Sequence, residues 1–165
     1  MAKRRKKKRK IKLLKSATLL DLRPEKIPEP KPNKRSWAAA GLRYEKQVAD
    51  YLRAKYGEEH VLHGPWIDYE DAGGKGLCSP DVIVLPDDRD FVVVVECKLT
   101  VSKAALTELR TLYVPLAESI WPATKVRAVQ ATHNLKLKWS EPTTFRWSKI
   151  FDPKAKWKYI TLNWR

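Results

Sequence analysis

An α/β fold is predicted by three stretches of this 165-residue chain. Two are short β-branched runs, Val82 to Leu85 and Phe91 to Val95, separated by the polar turn Pro86-Asp87-Asp88-Arg89-Asp90. Apolar runs of this length, bounded by turn residues, are strands, here joined as a hairpin. The third is Gly41 to Gly57, whose apolar residues recur at helical spacing and which closes on a glycine. Neither β run alternates with polar residues, so both faces of the hairpin are expected to be covered.

The hairpin brings its polar residues together. Side chains alternate faces along a strand, so Glu96 and Lys98 point one way and Cys97 the other. A four-residue loop from Asp87 to Asp90 pairs residue 86 with 91 and, in the same register, sets Asp81 opposite Glu96. Directly paired side chains have Cβ atoms about 4.5–5.5 Å apart, so Asp81, Glu96 and Lys98 form one polar cluster. Two close carboxylates repel unless a cation stands between them. A hard divalent ion such as Mg²⁺ takes oxygen ligands of this kind, together with waters and phosphate oxygens. A plain salt bridge between Glu96 and Lys98, with Asp81 opening a turn, is the competing explanation.

The other elements follow in order. Within Gly41 to Gly57, Glu45 shares a face with Val48, Ala49, Leu52 and Tyr56. An acid on a core-facing stripe is a local inconsistency of the kind found at functional positions; a first-turn carboxylate favoured by the helix dipole would read the same way. His60 to Leu62 are expected to form a short strand, and Gly64 to Ser79, with three glycines at 73, 74 and 76, a mobile loop. Ser102 is a candidate N-cap for a helix to about Val114, where Pro115 disfavours continuation. Thr124 to Ala131 reads as a further strand. At the C-terminus, Thr143 to Ile150 and Lys156 to Trp164 read as two strands of a β-hairpin rich in tryptophan, tyrosine and lysine. Such a segment either stacks bases and holds phosphates or covers the core, and packing is the commoner use of strand aromatics.

Charge divides the chain into three parts. Residues 1–36 carry a net +12, residues 37–131 a net −3, and residues 132–165 a net +6. These divide the chain into a basic tail, a core and a basic aromatic C-terminal segment packed on it. Residues 3–10 are an unbroken Lys/Arg run, and Pro24 to Pro32 is proline-rich and polar, so the tail is expected to be disordered. Residues 11–22 are expected to form at most a short amphipathic helix on binding. Arg4, Arg5, Lys6, Lys7 and Lys8 suit phosphate contacts with counterion release; a localisation signal or a solubilising tail are the alternatives. Lysines interrupt the apolar stretch that a secretory signal requires, and no window approaches the roughly 18 apolar residues of a membrane span. Cys78 and Cys97 form no CxxC, and His60 and His63 lack cysteines at zinc spacing, so neither a structural zinc nor a disulfide framework is expected, in keeping with a reducing cytoplasm.

Pro80-Asp81, fourteen residues, then Glu96-Cys97-Lys98 resembles the signature of the PD-(D/E)XK nuclease superfamily. The resemblance covers roughly residues 41–131. It implies a restriction-endonuclease-like core, a central mixed sheet flanked by helices. It also implies a site in which Asp81, Glu96, the Cys97 backbone carbonyl and Glu45 hold Mg²⁺, with Mn²⁺ as a substitute, while Lys98 positions the attacking water. Lys75, in the loop before Asp81, and Lys103, on the helix after Lys98, are implied as phosphate contacts, and Arg110 falls on the same helix face as Lys103. A solvated loop and a solvated helix face are the plainer readings of these three. Small size, basic flanks and Gly41-x-x-x-Glu45 look most similar to Holliday junction resolvases, archaeal or phage. On that resemblance a homodimer acting on branched or duplex DNA is expected, in the cytoplasm near the nucleoid or in a viral host's cytoplasm, with no small-molecule cofactor. Restriction-like and exonucleolytic members share the motif, and fold does not choose among them. The competing classes are a nucleic-acid-binding protein that keeps the fold without catalysis, and a small assembly factor docking through its basic arm.

Overall fold

The computed structural model describes residues 10–25, 27–29, 33–85, 90–133, 154 and 156–164. It is an α/β protein built on a five-stranded mixed sheet. The strands are β2 (Val61–His63), β5 (Val82–Val84), β6 (Phe91–Lys98), β7 (Lys125–His133) and β8 (Tyr159–Trp164). The pairs β2/β5 and β5/β6 are antiparallel, and β6/β7 and β7/β8 are parallel. A parallel pair requires a crossover, which here is helical: α2 (Lys103–Glu108), a π turn (Leu109–Tyr113) and α3 (Val114–Ile120). The absence of polar alternation in β5 and β6 follows from cover on both sides. On one face α1 (Trp37–Tyr56) sets Tyr44, Val48 and Leu52 against Val82, Val84, Val93, Val95 and Val129. On the other, Leu109, Leu112, Leu116 and Ala117 pack with Ile83, Val92, Val94 and Ala128.

Helix α1 begins at Trp37, four residues before the expected Gly41, because Ser36 accepts the Ala39 amide at 3.2 Å and the alanines at 38–40 are strong helix formers. It ends where expected, at Gly57, whose φ of 98° lies in the region that only glycine adopts without strain.

Three expectations are corrected. Residues 14–20 form strand β1 (Leu14–Leu20) rather than a disordered stretch or a nascent helix. Gly64 to Ser79 is not a loop: it contains β3 (Trp66–Asp71) and β4 (Gly74–Cys78), which pair antiparallel and join β1 in a second sheet of order β1-β3-β4. The alternation of buried Ile67, Tyr69 and Asp71 with more exposed Asp68 and Glu70 is a half-buried strand pattern, and the glycines supply its turn. Asp71, fully buried, accepts the Gly73 amide through one oxygen and the Lys12 amide through the other, both at 2.8 Å, and so ties the turn to the N-terminal strand. Third, the helix from Ser102 does not stop before Pro115. The wider π turn precedes it, and Pro115 falls in the first turn of α3, where its missing N–H is not needed.

In the register of β3 and β4, Tyr69 lies opposite Gly76, and its ring occupies the space a Cβ at 76 would fill. Gly76→Ala is therefore expected to destabilise the protein by about 1–3 kcal/mol, the usual cost of overpacking, measured by urea unfolding. A loss within error of zero would show that the ring moves without penalty.

The C-terminal strand is part of the main sheet, pairing parallel with β7. Its expected hairpin partner, residues 143–150, lies outside the described residues, as do residues 1–9. Among the described residues no helix is long and apolar enough to cross a membrane.

Candidate functional site

The pairing of β5 with β6 matches Val82 to Val95, Ile83 to Val94 and Val84 to Val93. One step further sets Asp81 opposite Glu96, as expected from the loop length. The Asp81 carbonyl accepts the Gly64 amide at 2.8 Å, so its backbone faces β2, while its Oδ2 accepts the Cys97 amide at 2.6 Å. The ladder ends at Val82, and the chain bends at Asp81, whose carboxylate stands in for a backbone acceptor to the Cys97 amide.

Glu96 is 1% exposed, and its Oε1 accepts Lys98 Nζ at 2.5 Å; the same ammonium lies 3.9 Å from Asp81 Oδ2. Glu45 reaches the sheet end from α1, on the opposite face, where its Oε1 shares a hydrogen bond of 2.9 Å with His63 Nε2. Burial pushes the Asp81 carboxyl well above its ordinary value, and the charges of Glu96 and then Glu45 push it further, against the pull of Lys98 and the Cys97 amide. Asp81 therefore feels the charge of both other carboxylates. Lys98 is moved upward on balance: burial lowers it, but the charges of Glu96 and Asp81 and the hydrogen bond to Glu96 outweigh that. Lys98 is accordingly an ammonium at neutral pH, a donor and not a base.

Three carboxylates and a carbonyl against one ammonium leave an excess of negative charge in a desolvated corner. The donor set is entirely oxygen, which fits a hard divalent cation. Among the described residues no three His, Cys, Asp or Glu side chains converge closely enough to form a ligand shell as they stand. The agreement is in donor type and charge, with the Lys98 ammonium lying between Glu96 and Asp81.

The remaining candidates scatter. Lys103 opens α2 and is exposed. Arg110 stacks over Tyr159 of β8 at 5.1 Å, which assigns it to the junction of helix and sheet edge. Lys75 stands opposite Glu70 near the β3–β4 turn. Arg4, Arg5, Lys6, Lys7 and Lys8 lie outside the described residues. Cys78 and Cys97 are both thiols.

Three residues that support the site carried no recognisable sequence signal. His63 holds Glu45. Gln130, fully buried and paired with Glu96 in the β6/β7 register, accepts the Ser102 amide at 3.1 Å and donates to the Ser102 carbonyl at 2.6 Å, which fixes where the chain leaves β6. The Tyr113 hydroxyl lies 3.2 Å from the Ser79 carbonyl and 3.0 Å from Glu108 Oε1, bracing the segment that carries Asp81. Only a fully buried glutamine among apolar neighbours hints at such a role, and that burial is not visible in the sequence.

The sequence matches no protein-family model and no curated protein.

Proposed function

We propose that this protein is a divalent-metal-dependent nuclease of PD-(D/E)XK type that hydrolyses DNA phosphodiester bonds. The observation that carries the proposal is the opposition of Asp81 to Glu96 and Lys98 at the end of a fully buried strand pair, with Glu45 acting on the same carboxylate from the first helix. The order helix, antiparallel meander, helical crossover and parallel strand agrees with a restriction-endonuclease-like core. The resemblance extends the proposal to a structure-specific endonuclease of Holliday junction resolvase type, acting as a homodimer because two symmetric cuts require two sites.

Asp81, Glu96, the Cys97 carbonyl and Glu45 are the groups that would hold Mg²⁺. When bound, the ion supplies Lewis-acid stabilisation of the phosphate charge and lowers the pKa of a water. The chain's own groups do the rest. The Cys97 amide holds the Asp81 carboxylate in a single orientation. Glu96 holds Lys98, whose ammonium orients the attacking water by donating to it and stabilises the charge that develops on the phosphoryl oxygens. Gln130 fixes where the chain leaves β6 by clamping Ser102.

The test is incubation of labelled four-way junction, linear duplex and single-stranded DNA with Mg²⁺, with EDTA and Lys98→Met as controls. Cutting that EDTA stops and that Lys98→Met slows at least about tenfold without weakening DNA binding is expected. Symmetric nicks confined to the junction would establish the resolvase. Binding without cutting on every substrate would remove the nuclease assignment. It would favour the second reading, a non-catalytic nucleic-acid-binding protein, for which a specific observation speaks: the Lys98 ammonium already lies between the carboxylates, 2.5 Å from Glu96 and 3.9 Å from Asp81.

A further inference from the structure

An open groove of about 600 Å³ runs between the end of β1, the last turn of α1, β2 and the start of β3. Its volume is within the roughly 300–1,000 Å³ of small-ligand sites. Leu19, Leu62, Pro65 and Trp66 form its apolar side, and Arg23 and Arg53 contribute cations. The Arg23 guanidinium is held over the Trp66 ring, 5.7 Å from its centroid, by the carbonyls of Ile27 and Pro28 at 2.9 and 2.7 Å. Asp21 and Glu29 also line the groove. Their charges offset the two arginines, so the groove carries no net charge and suits a flat, polar-edged, uncharged group better than a phosphate. The Arg53 guanidinium is ion-paired with Glu58 at 3.6 Å and with Asp50 at 3.9 Å, and its buried Nε has no hydrogen-bond acceptor among the described residues.

The groove and the carboxylate cluster share a wall. His63 and Gly64 line the groove, and they also hold the cluster: His63 bonds Glu45 and the Gly64 amide bonds the Asp81 carbonyl. Trp66 is three residues from His63, so their Cα atoms lie within about 11 Å of each other.

Building on the nucleic-acid substrate proposed above, we infer that this groove receives an unpaired nucleobase of the substrate strand. The base lies against Trp66, Leu62 and Pro65, with its polar edge toward Arg53. A duplex keeps its bases stacked and cannot fill the groove, so the site favours single-stranded, frayed or branched DNA over paired DNA near the scissile bond.

The experiment measures binding of a single-stranded oligonucleotide carrying one 2-aminopurine, and of its paired duplex, in EDTA, for the wild type, Trp66→Ala, Trp66→Phe and Arg53→Gln. Cleavage with Mg²⁺ is assayed in parallel. Base–aromatic stacking of ordinary strength predicts that Trp66→Ala weakens single-strand binding about tenfold, while Trp66→Phe keeps it within about threefold and duplex binding stays constant across the set. The phenylalanine variant and a thermal melt of each protein separate this from misfolding. Single-strand affinity unchanged in both Trp66→Ala and Arg53→Gln, with metal-dependent cleavage present, overturns the groove and leaves the nuclease. The tenfold loss with no cleavage by any variant supports the groove and overturns the nuclease.

Discussion

Glu96→Gln abolishes metal-dependent cleavage, lowering the rate by at least about a hundredfold, the loss typical when one electrostatic group of an active site is removed, and leaves metal-free DNA affinity equal or higher. The amide has nearly the size of the carboxylate, so the packing around a side chain with 1% exposure is kept. What disappears is one negative charge from a cluster in which three carboxylates face one ammonium. The capacity to hold a divalent cation falls with it, and so does repulsion of the DNA backbone. Lys98 loses its 2.5 Å partner but remains 3.9 Å from Asp81 and one-third exposed, so it is not stranded. Initial rates and anisotropy titrations in EDTA check both halves. A rate within tenfold of wild type, in a variant that melts normally, would place the chemistry elsewhere.

Asp81→Asn raises the melting temperature of the metal-free protein while destroying its activity, against the general tendency of substitutions to destabilise. The reason is that the Asp81 charge is unfavourable in the fold: burial, Glu96 and Glu45 all raise its carboxyl well above the ordinary value of 3.8. The folded state therefore binds the proton more tightly than the unfolded state. Stability is greatest below the ordinary value and declines as pH rises through the elevated one. Asparagine carries no such penalty, and its side-chain oxygen still accepts the Cys97 amide. The difference between variant and wild type is thus expected to be positive at pH 7 and to shrink as pH falls toward 4. Added Mg²⁺ should stabilise the wild type and not the variant. Melting curves across pH, with and without Mg²⁺, test this, and a variant that melts lower than wild type at pH 7 would show that the cluster is stabilised as it stands.

Local sequence patterns specified those parts of the protein whose partners are close along the chain. The helix bearing Glu45 is written in its apolar stripe and closing glycine, although the serine cap and alanines ahead of Gly41 start it earlier. The opposition of Asp81 to Glu96 follows from the length of a single turn, because side chains alternate with period two and a hairpin loop sets the register. Partners far apart in the chain were not legible. Strand β1 lies in a basic, lysine-punctuated segment and exists because β3 accepts it; the tie from Lys12 to Asp71 spans 59 residues. The hairpin of β3 and β4 is hidden by its glycines, since a strand with one solvated face has weak intrinsic preference and is stabilised by its neighbours. His63 and Gln130 are 18 and 28 residues from the groups they hold. Alternation tells which face a side chain takes but not what lies across that face. The acids themselves could therefore be named from the chain alone, while the supports that orient them, and the groove that shares their wall, exist only where the two sheets and α1 meet.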